Sequence, residues 1–194
     1  MLWLFFLLLV LMIRHVFIVL IGLSTLFVSC SNPDKHKEKI NTLDSLKAEL
    51  DKKIAVFLSI DTVKISRNLS TYYANIKWMR ENIKDTLSIN YLNALKNYRT
   101  VNEPLLFLQS NFNSIATDAE YSRQQLLKLS SDLKKNLVED ERAFEFYTIE
   151  KMEAEKLNQV LQSNYQLAKE SIDTFDKYNN EIEKLITSYK IESK

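Results

Sequence analysis

Two histidines and several closely spaced carboxylates are the side chains with which this chain could do chemistry. His15 lies in a leading apolar segment and His36 in the polar stretch after it, and neither has a second histidine or a cysteine at ligand spacing. Glu150, Glu153 and Glu155 could act as acid and base only if burial separated their pKa values. Neighbouring lysines favour solvated helix faces instead. The sequence therefore predicts no catalytic residue, no metal site and no cofactor.

Cys30 is the only cysteine, so no disulfide or thiolate cluster can form within one chain. The composition changes sharply around it. Residues 1–28 are almost wholly apolar, with Arg14 as the single basic residue and no acidic one, whereas the chain after Ser31 is mixed. The position of Cys30 at this change makes the leading segment the first feature to interpret.

The leading segment can be a retained membrane span or a secretory signal. If translation starts at Met1, the apolar stretch is long enough to cross a bilayer, but Arg14 and His15 would lie mid-membrane, where a charge costs at least ~2.5 kcal/mol. If it starts at Met12, Arg14 and His15 form a short positive region before an apolar core, which is the pattern of a signal peptide. The signal-peptide interpretation is favoured because it places each residue in a suitable environment. The alternative is a retained anchor helix that ends in a buried or free cysteine.

The stretch "LFVSC", residues 26–30, resembles the lipobox of bacterial lipoproteins, in the looser form typical of Bacteroidota. Phe27 departs from the usual pattern, which places the hydrophobic residue one position nearer the cysteine. The resemblance implies cleavage before Cys30, acylation of its thiol and amino group, and anchoring in a bilayer through those chains. In a Gram-negative host, Ser31 in place of aspartate implies the outer membrane, with its periplasmic or surface face left open. The resemblance covers only residues 1–30, so the predicted organisation is a signal peptide at 1–29, a lipidated tether at 30–37 and a helical domain at 38–194.

Composition limits the fold and the partners of the remaining chain. Gly22, in the leader, is the only glycine, and the prolines are Pro33 and Pro104. Glycine-dependent phosphate loops and tight hairpins are therefore excluded after the leader, and long helices are favoured. Lys and Arg total 26 against 25 Asp and Glu, a balance that argues against binding nucleic acid.

Apolar residues at helical spacing predict helices throughout the domain. The first runs over about 34–58, and the second begins after a cap at Asp61 and runs to about 83. From there one heptad frame persists to the end of the chain, which predicts coiled-coil packing. Its positions are Tyr91, Tyr98, Leu105, Phe112, Ala119, Leu126 and Leu133, accompanied by Ala94, Val101, Leu108, Ile115, Ser122 and Leu129, and then Tyr147, Ala154, Leu161, Ala168, Phe175, Ile182 and Tyr189.

Two architectures fit the shared frame: one helix of about 100 residues, or two helices folded into an antiparallel hairpin near residue 140. Local chemistry favours the hairpin, because Asn136 can take a left-handed conformation and Glu139, Asp140 and Glu141 suit a first helical turn. Pro104 is interpreted as a kink or a first-turn proline. The predicted fold is all-α: an elongated antiparallel helical bundle with a long coiled-coil hairpin. The two shorter helices would complete a four-helix bundle and leave the hairpin tip projecting as a two-stranded stalk.

The segment "FEFYTIEKM", residues 144–152, carries more apolar surface than a two-stranded seam can cover. Exposed apolar patches commonly mark partner surfaces. The alternative is that these side chains pack on Leu127, Leu133 and Leu137, or within a homo-oligomer. The candidate partner surface comprises Phe144, Phe146, Tyr147, Ile149 and Met152.

These observations predict a non-enzymatic, lipid-anchored envelope protein whose helical body binds a protein partner, or itself, as an interaction or scaffold module. A chaperone-like client binder is one alternative, although a neutral chain supports it poorly. A bundle that binds a small ligand is another, and it would need polar groups converging in the core. Ser122 and Asn136 are the only candidates for such groups at the seam.

Overall fold

The computed structural model describes residues 35–84 and 87–192. Cys30, the leader and most of the tether lie outside these residues, and His36 lies in a turn before the first helix. The helical body begins at Glu38 and is one compact unit. No helix in the described ranges has both the length and the apolarity required to cross a bilayer.

The described residues form helices and no strand, which confirms the all-α prediction. The helices are α1 (Lys37–Leu58), α2 (Thr62–Asn82), α3 (Ile89–Arg99), α4 (Asn102–Lys134) and α5 (Asp140–Glu192). Every position of the predicted heptad frame is buried or half-buried, from Tyr91 to Tyr189. The coiled-coil periodicity in the sequence is therefore the seam of the folded bundle.

The hairpin between α4 and α5 is confirmed, and its turn has the expected chemistry. Asn136 adopts φ 53°, a left-handed conformation. The amide of Leu137 donates to the carbonyl of Asp132 at 2.9 Å and that of Asn136 to Leu133 at 3.1 Å, which closes the last turn of α4. Helix α5 then begins with Asp140 and Glu141, whose charges suit a helix N-terminus.

Two short breaks interrupt the other helices without reversing the chain. At the first, Asp61 caps α2 by accepting a hydrogen bond from the amide of Lys64 at 2.8 Å, as predicted. At the second, Pro104 lies in the first turn of α4, directly after the break at Thr100 and Val101. Proline has no amide hydrogen to continue the preceding helix, which accounts for the break here.

The predicted two-stranded stalk is wrong, because α1 packs beside the hairpin tip. The Asp44 carboxylate accepts hydrogen bonds from Ser130 at 2.7 Å and from Lys134 at 2.9 Å, both in the last turns of α4. Further along, the ring of Phe57 stacks on that of Phe112 with centroids 4.8 Å apart. Helix α1 has its own apolar stripe to bury, and the tip half of the hairpin offers the surface for it.

Helix α2 continues along α4 in the same direction as α1. Ser66 accepts a hydrogen bond from Gln109 at 2.9 Å, and the ring of Tyr72 contacts that of Tyr98 with centroids 5.2 Å apart. Contacts therefore progress steadily from the C-terminal end of α4 to α3. Helices α1 and α2 form one long helical segment, α3 and α4 form a second, and α5 forms the third. The body is therefore a bundle of three helical segments rather than a four-helix bundle.

Candidate functional site

The main candidate site is a groove on the surface between α4 and α5, which we call the tip groove. Its larger depression has a volume of about 490 Å³ and a smaller one of about 250 Å³ continues it toward the turn. Glu150 lines both depressions, so they form one trough. The lining from α4 is Ile115, Asp118, Tyr121, Ser122, Gln125, Lys128, Leu129 and Asp132; that from α5 and the residues before it is Val138, Phe146, Ile149, Glu150, Glu153, Lys156, Leu157 and Val160.

The structure separates the predicted partner residues rather than grouping them. Phe146 and Ile149 line the tip groove and are 41% and 49% exposed. Tyr147 is half-buried against the core, as its heptad position requires. Phe144 and Met152 are exposed outside the groove lining. Phe146 and Ile149 are therefore the two members of the set that belong to one concave surface.

Glu150 occupies a seam position, seven residues after Ala143 and seven before Leu157. Burial, and then the nearby charge of Glu153, raises the pKa of its carboxyl group. The expectation of a fully solvated acid is thus wrong for Glu150. The expectation of a solvated helix face does fit the next turn of α5, where Lys151 and Glu155 form an ion pair at 3.9 Å. A second heptad row through Ala143 and Leu157 would have identified Glu150 as a seam residue from the sequence alone.

Ser122 lies on the wall opposite Glu150. Its side chain is 7% exposed, and its hydroxyl has no hydrogen-bond partner among the residues that the structure describes. A buried hydroxyl without a partner costs free energy, so the groove retains an unused polar group in its lining. The other predicted seam candidate, Asn136, lies in the turn and serves the backbone there.

The groove carries more acidic than basic groups that lack a partner. Asp118, Glu150 and Glu153 face a single unpaired basic residue, Lys156. None of these four has an ion-pair partner within 4.0 Å in ranges 35–84 and 87–192. Lys128 and Asp132, near the turn, pair with each other at 2.7 Å. The middle of the groove is therefore apolar and net acidic.

Sequence reasoning missed a partly buried polar cluster that joins the three helical segments. The Tyr98 hydroxyl donates to Asn179 Oδ1 at 2.8 Å, and Asn75 Nδ2 donates to the same oxygen at 3.0 Å. Burial raises the pKa of the fully enclosed Tyr98 to about 12. The cluster satisfies its own members and lies away from the tip groove, and a satisfied polar network of this kind favours one register of the packed helices.

A second apolar groove of about 440 Å³ lies between α2 and α3. Its charged groups are Arg80 and Arg99, opposite in sign to the excess in the tip groove. Within the described ranges, no set of three or more His, Cys, Asp or Glu side chains is arranged to hold a metal ion. In comparisons of sequence and fold, no family model, no curated protein and no solved structure matches this chain.

Proposed function

We propose that this protein is a lipid-anchored protein of the cell envelope whose helical body acts as a non-enzymatic docking or scaffold module. The observation that carries the proposal is the tip groove, an open apolar trough between two long helices with Phe146 and Ile149 exposed in it. Grooves of this kind are the surfaces on which proteins receive amphipathic helices. The partner is a protein, or a second copy of the chain.

The dimensions of the groove support a docking role. Its lining spans residues 115–132 of α4, which is about 25 Å at 1.5 Å per residue. That length suits a partner element of several helical turns. The walls of the groove are long helices whose inner faces are held by buried contacts.

The docking part is tested by a photo-crosslinking residue at position 149 in the native host. We expect covalent adducts with one or a few proteins. The matched control is the same residue at position 191, since Ile191 is also strongly exposed but lies near the other end of α5. Adducts of the same identity and yield from both positions, or from neither, would contradict docking through the tip groove.

The anchoring part rests on Cys30 and the lipobox resemblance, which lie outside the described residues. Metabolic labelling with a fatty-acid analogue should label the native protein, and Cys30→Ala should abolish both the label and membrane association. Intact mass should show a chain that begins at Cys30 and carries acyl groups. A native chain that retains its leader and an unmodified thiol would contradict anchoring by lipid.

A further inference from the structure

The chemistry of the tip groove limits the class of partner that can bind there. Its apolar contacts come from two rows, one on each wall: Ile115 and Leu129 on α4, and Ile149, Leu157 and Val160 on α5. A partner helix lying between such rows would meet them with side chains at three- and four-residue spacing. Apolar rows alone would accept many amphipathic helices, so selectivity has to come from polar groups.

Acidic residues on both walls supply that selectivity. Asp118 belongs to α4, and Glu150 and Glu153 to α5. Each lacks an ion-pair partner in the part of the chain that the structure describes, and Lys156 is the one cation beside them. The excess negative charge at the middle of the trough is complementary to a basic side chain on the occupant.

The Ser122 hydroxyl is a second polar feature of the groove wall. It is buried in the wall opposite Glu150 and accepts no hydrogen bond from the described residues. A lysine ammonium has three donors and an arginine guanidinium has five, so either can satisfy a carboxylate and further acceptors at once. The carboxylates of Asp118, Glu150 and Glu153 are the acceptors that the groove presents to such a cation, and apart from Lys156 the middle of the groove has little cationic charge of its own.

We infer that the tip groove receives a cationic amphipathic helix of a partner protein, whose apolar face packs on Ile149 and Leu157 and whose central lysine or arginine meets Glu150 and Glu153. This inference rests on the proposed docking function and adds the chemical class of the partner. A second copy of the chain fits less well. In a twofold-symmetric dimer through this groove the same acidic middle would face itself.

The test uses two fluorescently labelled helical peptides of about 20 residues and the purified full-length protein in mild detergent. Both peptides carry leucines at three- and four-residue spacing; one has lysines beside the centre of the apolar face and its twin has glutamates there. Anisotropy titration should show saturable binding of the lysine peptide and at least about tenfold weaker binding of the glutamate peptide, a difference that shrinks as salt is added. Equal affinities, or no binding of the lysine peptide, would overturn the inference.

Variants locate the site. Glu150→Gln with Glu153→Gln should lower the affinity for the lysine peptide by about 2- to 25-fold, since each partly exposed ion pair contributes about 1.4- to 5-fold. The control is Glu170→Gln with Glu181→Gln, which removes the same charge from exposed positions elsewhere on α5 and should leave affinity unchanged. Ile149→Asp should abolish binding, and circular dichroism of each variant checks that it is folded. Equal losses from the two glutamine pairs would show non-specific attraction and overturn the inference.

The remaining outcomes separate the two proposals. Adducts at position 149 together with equal peptide affinities would keep the docking function and reject a cationic partner. Selective peptide binding without adducts in cells would support the chemistry of the groove and reject its use for docking in the native host. Light scattering that shows a dimer broken by Ile149→Asp would replace the basic helix with a second copy of the chain and overturn the inference.

Discussion

The Tyr98 hydroxyl allows a quantitative prediction about stability and pH. Its ring is fully enclosed between the rings of Tyr72 and Phe175, at centroid distances of 5.2 and 5.5 Å. Its hydroxyl donates to Asn179, which also receives a hydrogen bond from Asn75. Removing the hydroxyl by Tyr98→Phe therefore preserves the ring packing, leaves the Asn179 oxygen with one donor and removes the weaker acceptor that Asn75 Nδ2 reaches at 3.3 Å.

At pH 8 we expect Tyr98→Phe to lower the free energy of unfolding by about 1 kcal/mol, the net value of an ordinary hydrogen bond. At high pH the ionisation of Tyr98 acts on the difference in unfolding free energy in the opposite direction. The pKa of Tyr98 is raised to about 12 in the folded protein, against about 10 in the unfolded chain. Because only the unfolded state readily loses this proton, wild-type stability falls as the pH rises from 10 toward 12.

At pH 11 the titration of Tyr98 costs the wild type about 1.4 kcal/mol, and the variant escapes that cost. The variant should then be equal to or slightly more stable than the wild type. Urea denaturation followed by circular dichroism at both pH values measures the difference. Tyr121→Phe is the control, since Tyr121 is 64% exposed and its loss should not alter stability at either pH. A wild-type advantage that is the same at pH 8 and pH 11 would refute the reasoning about burial.

Two further substitutions test the architecture. Leu43→Ala, in the fully buried part of α1 near the tip, should destabilise the protein by about 2–5 kcal/mol, whereas Leu137→Ala in the exposed turn should have little effect; equal effects in urea denaturation would argue against packing of α1 beside the tip. Asn136→Ala should cost about 1–2 kcal/mol because alanine tolerates φ 53° poorly, and Asn136→Gly should be neutral or stabilising. An alanine variant as stable as the glycine variant would contradict the left-handed turn.

Local features of the sequence were enough to predict the helices and the hairpin. The heptad period is a property of a single helix, because residues seven apart lie on the same face wherever that helix packs. The Asp61 cap, the first-turn position of Pro104 and the conformation of Asn136 likewise depend on chemistry within a few residues. Leader cleavage and acylation of Cys30 stay predictions, since those residues lie outside the described part of the chain.

Only the tertiary structure decided how the helices share their apolar faces. An apolar stripe shows that α1 must be buried but not against which half of the hairpin, and the contact between Asp44 and Lys134 joins residues far apart in sequence. The tip groove arises in the same way, because its two walls are adjacent only after α4 and α5 fold back on each other. The charges of Glu150 and Glu153 resemble those of any solvated helix in the sequence. They become an acidic groove because α4 and α5 leave that trough uncovered, with Ser122, whose hydroxyl has no partner within the described ranges, on the opposite wall.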